Sequence, residues 1–213
     1  MSVRPADRRK AAMRAGARVA FAVLCTAPGA AGARATEAPL KFKILPVRSS
    51  VRFDARATGH TVHGVTQQVS GEVVFDPEDL AKNARVTLQV QAATLNTGNK
   101  VRDRKMRESH LETERHPLIG FRSSKVEAIA PSLREGETQE MNVSGTLSLH
   151  GVDRNIVFPV KAVRRGGDLL VSGETTLRMS DYGIPVPGFL FVKVQDQVKV
   201  MFEVVAAPDG TGS

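Results

Sequence analysis

Residues 85–92 read Arg85-Val86-Thr87-Leu88-Gln89-Val90-Gln91-Ala92, and their alternation decides the fold class. Successive side chains leave opposite faces of a strand, so Val86, Leu88 and Val90 share one face. Arg85, Thr87, Gln89 and Gln91 share the other. The same period of two recurs at 51–57, 69–75, 119–123, 143–149 and 198–204. Between 154 and 179 it continues through Ile156, Phe158 and Val160, then Val171, Leu177 and Met179, across a Gly166-Gly167 hairpin turn. Turn residues fall at intervals of about 8–12 positions, the spacing of an all-β sandwich or barrel. About eight strands with one dry face each suit antiparallel pairing.

Residues 100–114 (KVRDRKMRESHLETE) interrupt this rhythm with poor β-propensity and a helical charge mix. Asn99 is placed to cap a short helix, and Pro117 stops it and holds His116 extended. Residues 183–197, with Pro185, Pro187 and Gly188, read as a long loop that contains Phe189 and Phe191. With Tyr182 these are candidates for a lid, a membrane-touching tip or a plug at the open end. Residues 129–140 read as a polar turn and 206–213 as a tail. There is no internal repeat, and one domain from 36 to 213 accounts for the chain.

The net charge of +8 overstates the basicity of that domain. Seven of the 30 basic groups lie in the first 35 residues beside a single acid, Asp7, which leaves 23 basic and 21 acidic groups for the rest. A phosphate-binding basic face for nucleic acid is therefore not expected. The first 35 residues have the layout of a cleavable signal peptide: a basic start, an apolar core at 19–27, then Pro28-Gly29. Small residues follow, with A-x-A patterns ending at Ala33 and Ala35. The core is about half the length needed to span a bilayer. Periplasmic or secreted location follows as an expectation. Arg8-Arg9 leaves the twin-arginine route open beside the general one. Leu24 stands where lipid attachment to Cys25 wants a small residue. After cleavage the chain has no cysteine, which rules out disulfides and thiol catalysis.

Catalytic and metal signals are thin. His60 and His63 lie three apart, which on a strand puts them on opposite faces. His110, His116 and His150 fall in different segments, and His150-Gly151 suits a turn. No metal or other cofactor is expected. Neither a G-x-S-x-G elbow nor a P-loop nor a dinucleotide fingerprint occurs. An enzyme that uses a histidine or carboxylate not placed by spacing is the weakest reading.

Three stretches in order carry a family resemblance. Leu95-Asn96-Thr97-Gly98-Asn99 precedes Arg102-Asp103, the short helix, and His116-Pro117-Leu118-Ile119-Gly120-Phe121-Arg122-Ser123. Gly145-Thr146-Leu147-Ser148-Leu149-His150-Gly151-Val152 is the second, and Ser180-Asp181-Tyr182-Gly183-Ile184 the third. Together they resemble the YceI family over roughly residues 42–206. The resemblance implies an eight-stranded, antiparallel, lipocalin-like barrel with one short helix. Its apolar lumen would hold a polyisoprenoid, a quinone or another long-chain lipid. It also implies export, induction by stress and, in some members, association with a cytochrome b561-type membrane protein. It supplies no catalytic residues. The chain departs from other members in lacking Trp and in its Pro-rich 183–188 loop.

Period-two patterning alone cannot separate a packed core from a lumen, because both need apolar inward residues; the resemblance favours the lumen. The inward candidates are Phe53, Phe75, Val86, Leu88, Val90, Phe121, Leu147, Leu149, Phe158, Leu177, Val200 and Phe202. Asn99, Arg102 and Asp103 are candidates for head-group contact at the mouth. A non-catalytic lipid carrier is the first reading, and delivery of a quinone to a b561-type partner is the second. Pairing of two barrels stays open.

Overall fold

The computed structural model describes residues 39–189 and 192–210. The leader at 1–35, with Cys25 and its cleavage sites, lies outside these residues, as does Phe191. Eleven strands form one antiparallel sheet that closes on itself. They run β1 (Leu40–Ile44), β2 (Ser50–Ala57), β3 (His60–Thr66), β4 (Val69–Phe75) and β5 (Arg85–Gln91). Then follow β6 (Leu118–Ala128), β7 (Thr138–Leu149), β8 (Val152–Arg165), β9 (Asp168–Arg178), β10 (Gly188–Phe189) and β11 (Val192–Pro208).

Closure comes from β11, which pairs with β9 on one side and with both β1 and β2 on the other. β1 and β2 are one stave of the barrel, interrupted by a 3-10 turn at Pro46–Arg48. Ser49 spans the break: its hydroxyl donates to Leu45 O at 2.8 Å and accepts from Val205 N at 3.1 Å. β3 and β4 form the matching stave, paired to β2 and β1 respectively. β10 stands aside, paired only to β11. The barrel therefore has eight staves in up-and-down order, as the sequence and its resemblance imply.

Some expectations need correction. The loop read over 183–197 ends early, because β11 begins at Val192 and bulges between Val194 and Val198. The bulge inserts extra residues and breaks the alternation that marks a strand. The tail read over 206–213 begins later, since β11 runs to Pro208 and Ala206 is fully buried. The HTVHG stretch is strand β3, so His60 and His63 leave opposite faces, as their spacing implies. Its Asp54↔His63 register sets His63 Nδ1 2.6 Å from the Asp54 carboxylate on the exposed outer face.

The helix starts where expected but ends at His110, short of the 114 read from the sequence and of Pro117. Asn99 Oδ1 accepts from Val101 N and Arg102 N, both at 3.1 Å, and starts α1 (Lys100–Lys105). The following turn, Met106–His110, widens to π geometry. No helix among the described residues is long and apolar enough to cross a membrane.

Candidate functional site: an apolar lumen with one polar end

The two ends of the barrel differ. At the end where β4, β6 and β8 finish, the connections 76–84 and 129–137 fold inward and are clamped together. Leu80 N donates to Pro131 O at 2.7 Å and Leu133 N to Pro77 O at 3.1 Å. These bonds satisfy backbone groups at the two points where the otherwise largely exposed connections send a leucine inward. Leu80 and Leu133 are 3% and 2% exposed and pack with Phe42, Leu169, Val204 and Ala206. Phe42 and Phe75 stack there at 5.5 Å. This end is plugged.

Away from the plug the inward face is mixed: Val90, Phe121, Leu147 and Phe158 are buried, whereas others keep free surface. On β9 and β11 exposed outward residues such as Ser172, Thr176, Lys199 and Glu203 alternate with inward ones, Val171, Leu177, Val200 and Phe202, that are only half-buried. Phe53, Val86 and Leu88 are half-buried too, although they face the interior. An inward side chain keeps free surface only where it faces a void. That void is a cavity of about 700 Å³, within the range of small-molecule sites. All twelve inward residues read from the sequence line it.

Glycines help to keep it open. A Cβ on Gly64 would meet the Phe53 ring at 2.1 Å, and one on Gly173 would meet Phe202 Cζ at 2.6 Å. Each ring thus lies over the bare backbone of the neighbouring stave. Phe202 also meets Phe158 edge-on at 5.6 Å, and Phe158 meets Phe121 at 5.1 Å. The aromatic groups line the wall as a connected set.

The polar lining is concentrated at the far end. Thr97, Asn99, Arg102, Lys105 and His110 border the cavity from the helical segment, and Arg178 from the end of β9. Val101 also borders it yet is 62% exposed, so this end communicates with solvent. The segment is held by a buried knot. Asp103, 4% exposed, accepts from Thr97 N at 2.9 Å and from Thr97 Oγ1 at 2.5 Å. Arg102 Nε donates to Thr97 Oγ1 at 2.7 Å and Nη2 to Thr97 O at 2.9 Å. Burial pushes the Asp103 carboxyl up, but the Thr97 hydrogen bonds and the charges of Arg107 and Arg102 outweigh it and hold it below its ordinary value.

The three mouth candidates therefore separate. Asn99 and Arg102 border the cavity, whereas Asp103 does not and serves the loop instead. Sequence reading missed Lys105, His110 and Arg178, which alternation does not mark. It also missed the plug, since Leu80 and Leu133 sit in polar connections.

A YceI-like domain profile matches residues 42–206. A UPF0312 protein of Vibrio cholerae is 26% identical over 148 residues, which cover 66% of this chain and 74% of that one. Among solved structures, BcnA of Burkholderia cenocepacia superposes with a TM-score of 0.66 at 20% identity, over 77% of this chain and 99% of that one. A polyisoprenoid-binding domain of Saccharophagus degradans, implicated in plant cell wall breakdown, gives a TM-score of 0.62 at 19% identity, over 79% and 99%. The closed eight-stave barrel and a profile match across nearly all of it agree: the chain belongs to the YceI-like domain family.

Proposed function

We propose that the protein is an exported, non-catalytic carrier that holds the tail of a polyisoprenoid, a long-chain quinone or a similar lipid in its lumen. The observation that carries this reading is the half-buried inward face around a cavity whose polar lining gathers at one end. An amphiphile with an apolar tail and a polar head fits that polarity in a single orientation. Burial contributes about 0.8 kcal/mol per CH₂, so ten carbons gain roughly 8 kcal/mol before the cost of immobilisation. In this reading Asn99 and Arg102 lie beside the head group and the twelve apolar residues surround the tail. The polyisoprenoid-binding relative in Saccharophagus degradans supports the choice of ligand class.

The test compares two neighbours on β5. Leu88 lines the cavity, whereas Gln89 faces outward and is exposed. Each variant is incubated with vesicles that contain a polyprenol or a long-chain quinone, re-isolated, and extracted for quantitation. Leu88→Trp fills the lumen and should retain little lipid, while Gln89→Trp should retain as much as the unaltered chain. Equal retention in both variants would place the lipid elsewhere than the lumen.

A further inference from the structure

Outside the lumen, the described residues contain one group of three metal-ligating side chains: Glu112, His116 and His150. They come from the end of the helical segment, the approach to β6 and the β7–β8 turn. His150 Nε2 and His116 Nε2 lie 3.6 Å and 3.9 Å from Glu112 Oε2, and all three ligand atoms fall within 4.8 Å of one another. We propose that these residues form a divalent transition-metal site, with zinc as the ion.

Four observations carry this. First, His150 Nδ1 lies 3.0 Å from Tyr182 O. A carbonyl can only accept, so Nδ1 carries a proton, and the lone pair that a metal would take lies at Nε2. An outer hydrogen bond that fixes tautomer and ring direction is the usual support of a metal-bound histidine. Second, Nε2 is shielded from solvent and has no hydrogen-bond partner, a state that buried polar atoms seldom keep without a reason. Third, Glu112 and His150 are the two non-glycine residues with positive φ among the described residues, at 43° and 53°. Side-chain-bearing residues rarely adopt that conformation, and such residues gather at functional sites. Fourth, Gly151 makes room for the second imidazole, since a Cβ there would stand 2.6 Å from His116 Cε1.

Two imidazoles and a carboxylate are a borderline donor set that suits zinc, with metal–ligand distances of about 2.0–2.2 Å. Tetrahedral geometry then asks for ligand atoms roughly 3.3–3.5 Å apart, so the two imidazoles must each close by a few tenths of an ångström on Glu112, and the widest separation in the group by up to about 1.5 Å. Arg115 Nη1 also donates to Glu112 Oε2, at 2.9 Å, and is itself largely exposed. It must share or release that oxygen when the ion binds. The partly exposed Glu112 and His116 leave the fourth position to water. The bound ion would tie the β7–β8 turn and the approach to β6 to the helical segment at the lumen mouth.

The test is titration of the tag-free chain with Zn²⁺ against a chromophoric chelator near neutral pH. One equivalent should bind. His116→Ala, His150→Asn and Glu112→Gln should each weaken binding by about tenfold or more, and His60→Ala with His63→Ala should leave it unchanged. Asn is chosen at 150 because it tolerates positive φ. Should any variant fail to fold, histidine ring-nitrogen NMR on the unaltered chain decides: His116 and His150 must shift with Zn²⁺ while His60, His63 and His110 stay. No Zn²⁺ uptake by the folded chain, or uptake that maps to His60 and His63, would overturn the proposal.

Discussion

The two ends of the barrel are fed by the same alternating staves, yet one is sealed by apolar side chains and the other bordered by polar ones. At the sealed end Leu80 and Leu133 reach inward from connections 76–84 and 129–137, and inward neighbours such as Val204 and Ala206 are fully buried. At the mouth, the helical segment is anchored by the Thr97–Asp103–Arg102 knot and by His110, whose Nδ1 lies 2.8 Å from Pro185 O. The difference teaches that strand patterning makes a hollow, and that the connections decide which end of it is open. Apolar packing closes one end, whereas the other combines a polar knot with a buried apolar cluster around Tyr182, Ile184 and Leu147.

The largest expected effect is at the plug. Leu133→Ala removes a 2%-exposed side chain and should cost about 2–5 kcal/mol in denaturant unfolding. It should also speed amide exchange at Val204 and Ala206. A loss well under 1 kcal/mol would mean that this end is not sealed by packing.

At the mouth, Asp103→Ala leaves the half-buried Thr97 amide and hydroxyl without their acceptor and should cost about 1–3 kcal/mol. Exchange should rise over residues 95–110 and stay unchanged at the sealed end. A uniform rise through the barrel would erase the distinction between the ends.

The smallest effect is pH dependence. Hydrogen bonds from Ser180 hold the Asp196 carboxyl below its ordinary value, and this ties residues 179–180 to β11. Asp103 is depressed likewise. A carboxyl with a depressed folded pKa contributes stability above its unfolded pKa of about 3.9, and that contribution disappears as pH falls through the folded value. Acidification below about pH 4 should therefore loosen 95–110 and 179–184 before the plug. Glu140 is lowered by Lys161, first through their hydrogen bond, but that pair is fully exposed on the outer wall and should matter little. Loss of the plug first would contradict this order.

Much of the barrel was legible because a one-sided strand writes its burial into every second residue, as Val86, Leu88 and Val90 show. The helix start was legible through Asn99, whose capping effect is local, whereas its end at His110 comes well before Pro117. What escaped depends on contacts between distant segments. β1 and β3 are short, and each is only part of a stave. β11 is longer than its pattern because of the bulge after Val194. Asp103 was read as a mouth residue, since only the fold reveals that Thr97 consumes its carboxylate. The Glu112–His116–His150 group draws on three segments that no spacing rule connects.

The most direct test of the lipid-carrier account is native mass spectrometry of gently purified protein, paired with an organic-solvent extract of the same sample. Trp is absent and Tyr182 is the only Tyr, which makes intrinsic fluorescence a poor substitute. The account predicts a stoichiometric isoprenoid, quinone or similar long-chain lipid, lost on extraction and regained on incubation. Protein that is free of lipid, and stays free after incubation with such lipids, would contradict it.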